Sequence, residues 1–92
     1  LSIYPNSDDL FNILGVVYKL TGRNDDSGNC FSKAYKLNPK NINVINNLSL
    51  FYHGQGKHKE SIILLNDSLK DNRNSFQLYN NLGCEVTASI QQ

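Results

Sequence analysis

Phe11-Asn12-Ile13-Leu14-Gly15-Val16-Val17-Tyr18 decides the fold, because the chain returns to it twice. The register comes back 34 residues later as Ile45-Asn46-Asn47-Leu48-Ser49-Leu50-Phe51-Tyr52. It returns again as Tyr79-Asn80-Asn81-Leu82-Gly83-Cys84-Glu85-Val86. Asn12, Asn46 and Asn80 align, and so do Leu14, Leu48 and Leu82. A fixed period of this length marks a stacked-repeat protein, in which each unit covers its apolar face only with its neighbours.

Outward from that stretch, Leu10, Phe11, Leu14, Val17 and Tyr18 fall at helical spacing and predict a buried stripe on a helix from Asp8 to about Thr21. Ser7 is its expected N-cap, Asp8 and Asp9 suit the positive end of the helix dipole, and Gly22 ends it. A second helix, with Asn24 as its expected cap and Asp25 and Asp26 behind it, carries Cys30, Phe31, Ala34, Tyr35 and Leu37 on one face. Gly28 within it costs about 1 kcal/mol relative to alanine. Asn38-Pro39 closes the unit, since proline cannot continue a helix.

The plan then repeats. Asn41 is the expected cap of a helix that buries Val44, Ile45, Leu48, Phe51 and Tyr52 and stops at Gly54 and Gly56. A returning helix from about His58 to Asp71 buries Ile62, Leu65 and Leu69. A last helix starts near Ser75 and presents Phe76, Leu78, Tyr79, Leu82 and Val86. Ile3 and Pro5 precede Leu37 and Pro39 by one period, so residues 1–7 read as the end of a preceding repeat. Five antiparallel helices joined by short turns are expected, an all-α chain.

These residues resemble the tetratricopeptide repeat, whose pattern runs from a large aromatic through Leu-Gly and Tyr to Ala-x-x-x-Phe and a closing Pro. The first unit matches at Phe11, Leu14, Gly15, Tyr18, Phe31, Ala34 and Pro39, with Ser27 in the alanine place. The second keeps Leu48, Tyr52 and Gly56 but has Ile45, Ser49, Ser61, Leu65, Ser68 and Arg73 at the other sites. The third keeps Tyr79, Leu82 and Gly83. The resemblance implies an α-solenoid of helical hairpins. Residues 8–41 would be one repeat, 42–75 a second, and 76–92 the first helix of a third or a capping helix. Gly15 and Ser49 would let paired helices approach closely, and Phe11, Ile45 and Tyr79 would fill the space between hairpins.

The bulk chemistry narrows the function. A net charge of +1 over 92 residues argues against nucleic acid, whose binders carry a basic stripe. Ile62-Ile63-Leu64-Leu65 is the longest apolar run and is far too short to span a membrane. Cys30 and Cys84 form no Cys-x-x-Cys motif; two buried or half-buried free thiols fit a reducing, cytoplasmic setting. His53 and His58 straddle a turn with no acid fixed beside either, so both read as packing or solvated residues. Asp25 and Asp26 read as first-turn acids. No catalytic residue, metal ligand or cofactor is expected.

Similar repeats hold peptides in a concave groove lined by the first helix of each hairpin. The resemblance therefore implies a groove of Asp9, Asn12, Ile13, Val16 and Lys19, then Asn43, Asn46, Asn47, Leu50 and His53, then Gln77, Asn80, Asn81, Cys84 and Thr87. The expected peptide-binding residues among these are Asn12, Asn43, Asn46, Asn47, His53, Gln77, Asn80 and Asn81. An asparagine amide both donates and accepts, so it can pair with the backbone of an extended peptide whatever its sequence. Ile13 breaks the asparagine ladder in the first unit. Clamping a terminal carboxylate would need basic residues where Gln77 and Asn81 stand, which argues against that ligand. The expected function is a non-catalytic protein-interaction scaffold that presents this groove to a peptide or a partner helix. The alternative is a structural module that forms a homodimer through its last helix.

Overall fold

The structure, a computed structural model, describes residues 7–91, apart from the side chains of Ser89 and Gln91. Except for Ser7, the segment expected to end a preceding repeat lies outside the described residues. Five helices follow one another: α1 (Asp8–Leu20), α2 (Asn24–Leu37), α3 (Ile42–Gly54), α4 (His58–Leu69) and α5 (Phe76–Gln91).

Local chemistry sets most of these limits. Ser7 Oγ accepts from the Leu10 amide at the start of α1, and Asn41 Oδ1 accepts from the Asn43 and Val44 amides at the start of α3. Gly22 (φ +82°) and Gly56 (φ +74°) take the left-handed conformation that turns the chain from one helix into the next. At both turns the following amide reaches back to a tyrosine carbonyl: Arg23 N to Tyr18 O and Lys57 N to Tyr52 O, each 2.8 Å. This closed turn corrects the expectation for Asn24. The helix already includes Asn24, Arg23 occupies the cap position, and no side chain caps it. The Arg23 guanidinium instead pairs with Asp26 and lies 4.8 Å from the centre of the Tyr18 ring. The end of α4 falls at Leu69, where the Asp71 and Asn72 amides turn back onto Ser68 O.

Each helix packs on the next, and α3 also packs on α1 and α5, so α1, α3 and α5 form one layer and α2 and α4 cover it. The result is a helical-repeat slab of 45 × 30 × 16 Å. Phe31, Ile45, Leu48, Leu64, Leu65 and Leu78 form its core, with Val16, Tyr35, Ile42, Phe51, Tyr52, Leu69 and Leu82 packed around them. Burial of each large core side chain is worth about 1.5–3 kcal/mol. The central hairpin of α3 and α4 supplies most of this core.

Small residues set the helix spacing. A Cβ on Gly15 would stand 2.6 Å from the Phe31 ring, so α1 and α2 approach as closely as glycine allows. Ser27 Oγ donates to Gly15 O at 2.7 Å, and one period later Ser61 Oγ donates to Ser49 O at 3.3 Å. Gly28 gives up helix propensity and in return admits the Phe51 ring, which would lie 2.3 Å from an added Cβ.

The outer helices differ from expectation. Leu10, Leu14 and Val17 on α1 are exposed rather than buried, and Tyr79 on α5 is exposed rather than filling the space between hairpins; Phe76, Val86 and Ile90 on α5 are exposed as well. A repeat helix carries an apolar stripe broad enough for two neighbours, and among the described elements α1 and α5 each have stacking partners on one side only. Tyr79 is 50% exposed and leaves open the space that fully buried Ile45 fills one period earlier. Cys84 is exposed and only Cys30 is half-buried, which corrects the expectation of two sheltered thiols.

Candidate functional site

The periodic asparagines meet in pairs between successive units. Asn47 Nδ2 on α3 donates to Asn12 Oδ1 on α1 at 2.8 Å. One period on, Asn81 Nδ2 on α5 donates to Asn46 Oδ1 on α3 and lies 3.4 Å from Ser49 Oγ. Each rung joins residues 35 apart, one period plus one position, because neighbouring positions on a helix face different sides: Asn46 meets α5 while Asn47 meets α1. Sequence reading aligned these residues at the period itself and missed the pairing. Asn80, the third aligned residue, is exposed and takes no part in a rung, and Ile13 stands where an asparagine could have extended the row towards the N-terminus.

The pairing uses only part of each amide. Among the described residues, Asn12 Nδ2, Asn46 Nδ2, Asn47 Oδ1 and Asn81 Oδ1 have no protein partner, and all four side chains are half-buried. Asn43, Gln77 and Asn80 are exposed, as are Ile13 and Leu50. Four of the expected residues are thus brought together in two rungs, three stand free at the surface, and the last, His53, is engaged elsewhere.

His53 closes α3, His58 opens α4, and Glu85 reaches between them from α5. His53 Nδ1 pairs with Glu85 Oε1, and His58 Nδ1 lies 3.0 Å from Glu85 Oε2. The Glu85 side chain is 4% exposed, that of His58 11% and that of His53 46%. This corrects the reading that no acid stands beside either histidine. The two rings are not on one helical face; the tight turn brings them to 5.2 Å between centroids, and an acid from a helix 27 residues further on completes the group. The repeat register gives no signal either: one period before Glu85 stands half-buried Phe51, and one period before that exposed Val17.

Two hollows accompany these groups. A small one of about 120 Å³ lies beside Asn47, between Lys19, Phe31, Leu50 and Phe51. A larger apolar one of about 370 Å³ opens between α2 and α4, floored by Tyr35, Leu48, Tyr52 and Leu64 and away from the asparagine rungs. No described helix is long and apolar enough to cross a membrane.

Comparison with known proteins agrees with this architecture. Residues 8–41 match the family model of the tetratricopeptide repeat. None of the curated proteins matches the chain. Tetratricopeptide repeats generally mediate protein–protein interactions, bind proteins or peptides, and are typically non-enzymatic.

Proposed function

We propose, from the match of residues 8–41 to the tetratricopeptide-repeat model, that the chain is a non-catalytic scaffold whose α1–α3–α5 face receives an extended peptide or a partner helix. In this reading residues 42–75 are a second repeat and 76–92 the first helix of a third or a capping helix. The observation that carries it is the pair of rungs, Asn12–Asn47 and Asn46–Asn81. Each rung fixes the rotamer of two amides while leaving a donor on one and an acceptor on the other. Amides fixed in this way lose little entropy on binding, and they can pair with a peptide backbone. Ile13 and Leu50 add apolar contact on the same face.

The test selects binders from a displayed library of extended peptides and measures their affinity for variants. Asn43→Ala, Gln77→Ala and Asn80→Ala change exposed residues and should leave thermal unfolding unchanged. At least one should weaken binding about tenfold, which corresponds to 1.4 kcal/mol. Binding that is indifferent to all three and to Asn47→Ala would remove this face as the site.

A second reading, pairing of two copies through α5, is favoured by Gly83. Its equivalent Gly15 is covered by the Phe31 ring, whereas among the described residues nothing stands within 4 Å of a Cβ on Gly83. Phe76, at 84% exposure, together with Tyr79 and Val86 leaves an apolar surface around it. Light scattering across a hundredfold concentration range tests this. A dimer that Gly83→Trp disrupts supports it, and a monomer throughout removes it.

A further inference from the structure

We propose that His53, His58 and Glu85 form a binding site for one divalent transition-metal ion of the zinc class, which ties α5 to the turn between α3 and α4. The donors come from three separate helices, and their ligating atoms lie within 4.8 Å of one another. A zinc ion about 2.0–2.2 Å from each donor needs them roughly 3.5 Å apart in a tetrahedral arrangement. Side-chain adjustments of about 1 Å close that gap with no helix movement. Two imidazoles and one carboxylate suit zinc, cobalt, nickel or copper, whereas magnesium and calcium prefer oxygen ligands throughout.

The stack itself does not require this cluster. One period earlier the same three places hold Lys19, Asn24 and Phe51, and there the place of Glu85 is filled by a half-buried aromatic ring. The fold is therefore satisfied by an apolar side chain where Glu85 stands. A buried carboxylate is costly unless it is paired, and an apolar replacement of similar volume is often as stable. The retained carboxylate, flanked by two imidazoles, is a metal-ligand set at a corner that one period earlier holds a lysine, an asparagine and a phenylalanine.

The burial gradient gives the ion a way in. Glu85 is enclosed, His58 nearly so, and His53 half-exposed at the mouth, which leaves a fourth coordination position facing solvent. In the metal-free pairing each Nδ1–H donates to Glu85; on binding, each imidazole shifts to the tautomer protonated on Nε2, and the freed Nδ1 lone pair turns towards the ion. The charge of the carboxylate is then offset by the metal.

The test uses the whole chain, without a histidine tag, and zinc or cobalt ions alone. Calorimetry with zinc should show one ion per chain, and the ion should raise the unfolding midpoint while magnesium does not. Cobalt should give the visible bands of a four- or five-coordinate site without the intense near-ultraviolet absorption of thiolate ligands. His53→Gln, a half-exposed position whose change leaves the fold intact, should weaken binding at least tenfold, and His58→Gln and Glu85→Gln more. Absence of binding, a thiolate-type cobalt spectrum, or an affinity unchanged in His53→Gln would overturn the proposal. Binding lost in His53→Gln, with the circular dichroism unaltered, upholds it even where Glu85→Gln fails to fold. Peptide affinity plays no part in these readouts, so the metal site stands or falls apart from the proposed groove.

Discussion

The Phe31 ring lies directly over Gly15, 2.6 Å from where a Cβ would stand, while a Cβ on the equivalent Gly83 would meet nothing within 4 Å among the described residues. The same repeat position therefore answers the same substitution with opposite sign. Phe31 is fully buried and cannot yield, so Gly15→Ala should destabilise the protein by about 1–3 kcal/mol through overpacking. Gly83→Ala meets no obstacle in mid-helix and should stabilise by up to about 1 kcal/mol. Urea unfolding of the two variants beside the parent chain checks both signs.

Two buried serines make a similar contrast on α4. Ser61 Oγ donates to Ser49 O, so Ser61→Ala should cost about 0.5–1.5 kcal/mol. Ser68 Oγ is buried with no partner among the described residues. One period earlier its place is held by fully buried Ala34, which shows that a methyl group fits there. Ser68→Ala should therefore be neutral or stabilising by about 1 kcal/mol, since it removes an unsatisfied hydroxyl. Thermal melts that show equal losses for both substitutions would contradict this.

The helices were legible in the sequence because their signals are local. Ser7, Asn41, Gly22 and Gly56 act on their own turns, and the 34-residue register set the order of the units. Pairings between units were not legible, because which side of a helix meets which neighbour is a property of the packed stack. Packing turns Asn47 towards Asn12 on α1 and Asn46 towards Asn81 on α5. Asn24 was misread for a related reason: the glycine turn had already satisfied the chain through Tyr18 O, so no cap was needed. Glu85 escaped notice because nothing near it in sequence marks it. Its partners lie 27 and 32 residues away, on the far side of α4 in the chain.

The two thiols should differ in reactivity. Burial pushes the Cys30 thiol up from its ordinary range, the negative charge of Asp26 adds to this, and Lys33 opposes it. Less thiolate at neutral pH and a half-buried position both slow attack by Cys30, whereas Cys84 is exposed. Limiting iodoacetamide at neutral pH should alkylate Cys84 first, with Cys30 following as the pH is raised. Peptide mapping by mass spectrometry checks the order, and Cys30 labelling ahead of Cys84 would contradict it.

Asn41 clasps the starts of α1 and α3 together, and this makes part of the stability depend on pH. Its Oδ1 caps α3, while its Nδ2 donates to Asp8 Oδ2 at 2.7 Å and to Asp9 Oδ1 at 3.0 Å. The Asn41 amide is the main influence that holds the Asp8 carboxyl below its ordinary value; slight burial opposes it, and Asn38 adds a second hydrogen bond. A carboxylate with a lowered folded-state pKa contributes stability above its unfolded pKa and loses it as the pH falls through the folded value. Asn41→Ala removes both the cap and the Asp8 contact. At neutral pH the lost cap should cost about 1 kcal/mol, with the lost contact adding to it. Below the carboxylate range Asp8 is protonated in both proteins, so the difference between them should shrink towards the capping part alone. Urea unfolding of the two proteins at neutral and acidic pH measures this, and a difference that stays constant or widens in acid would show that Asp8 is not part of the clasp.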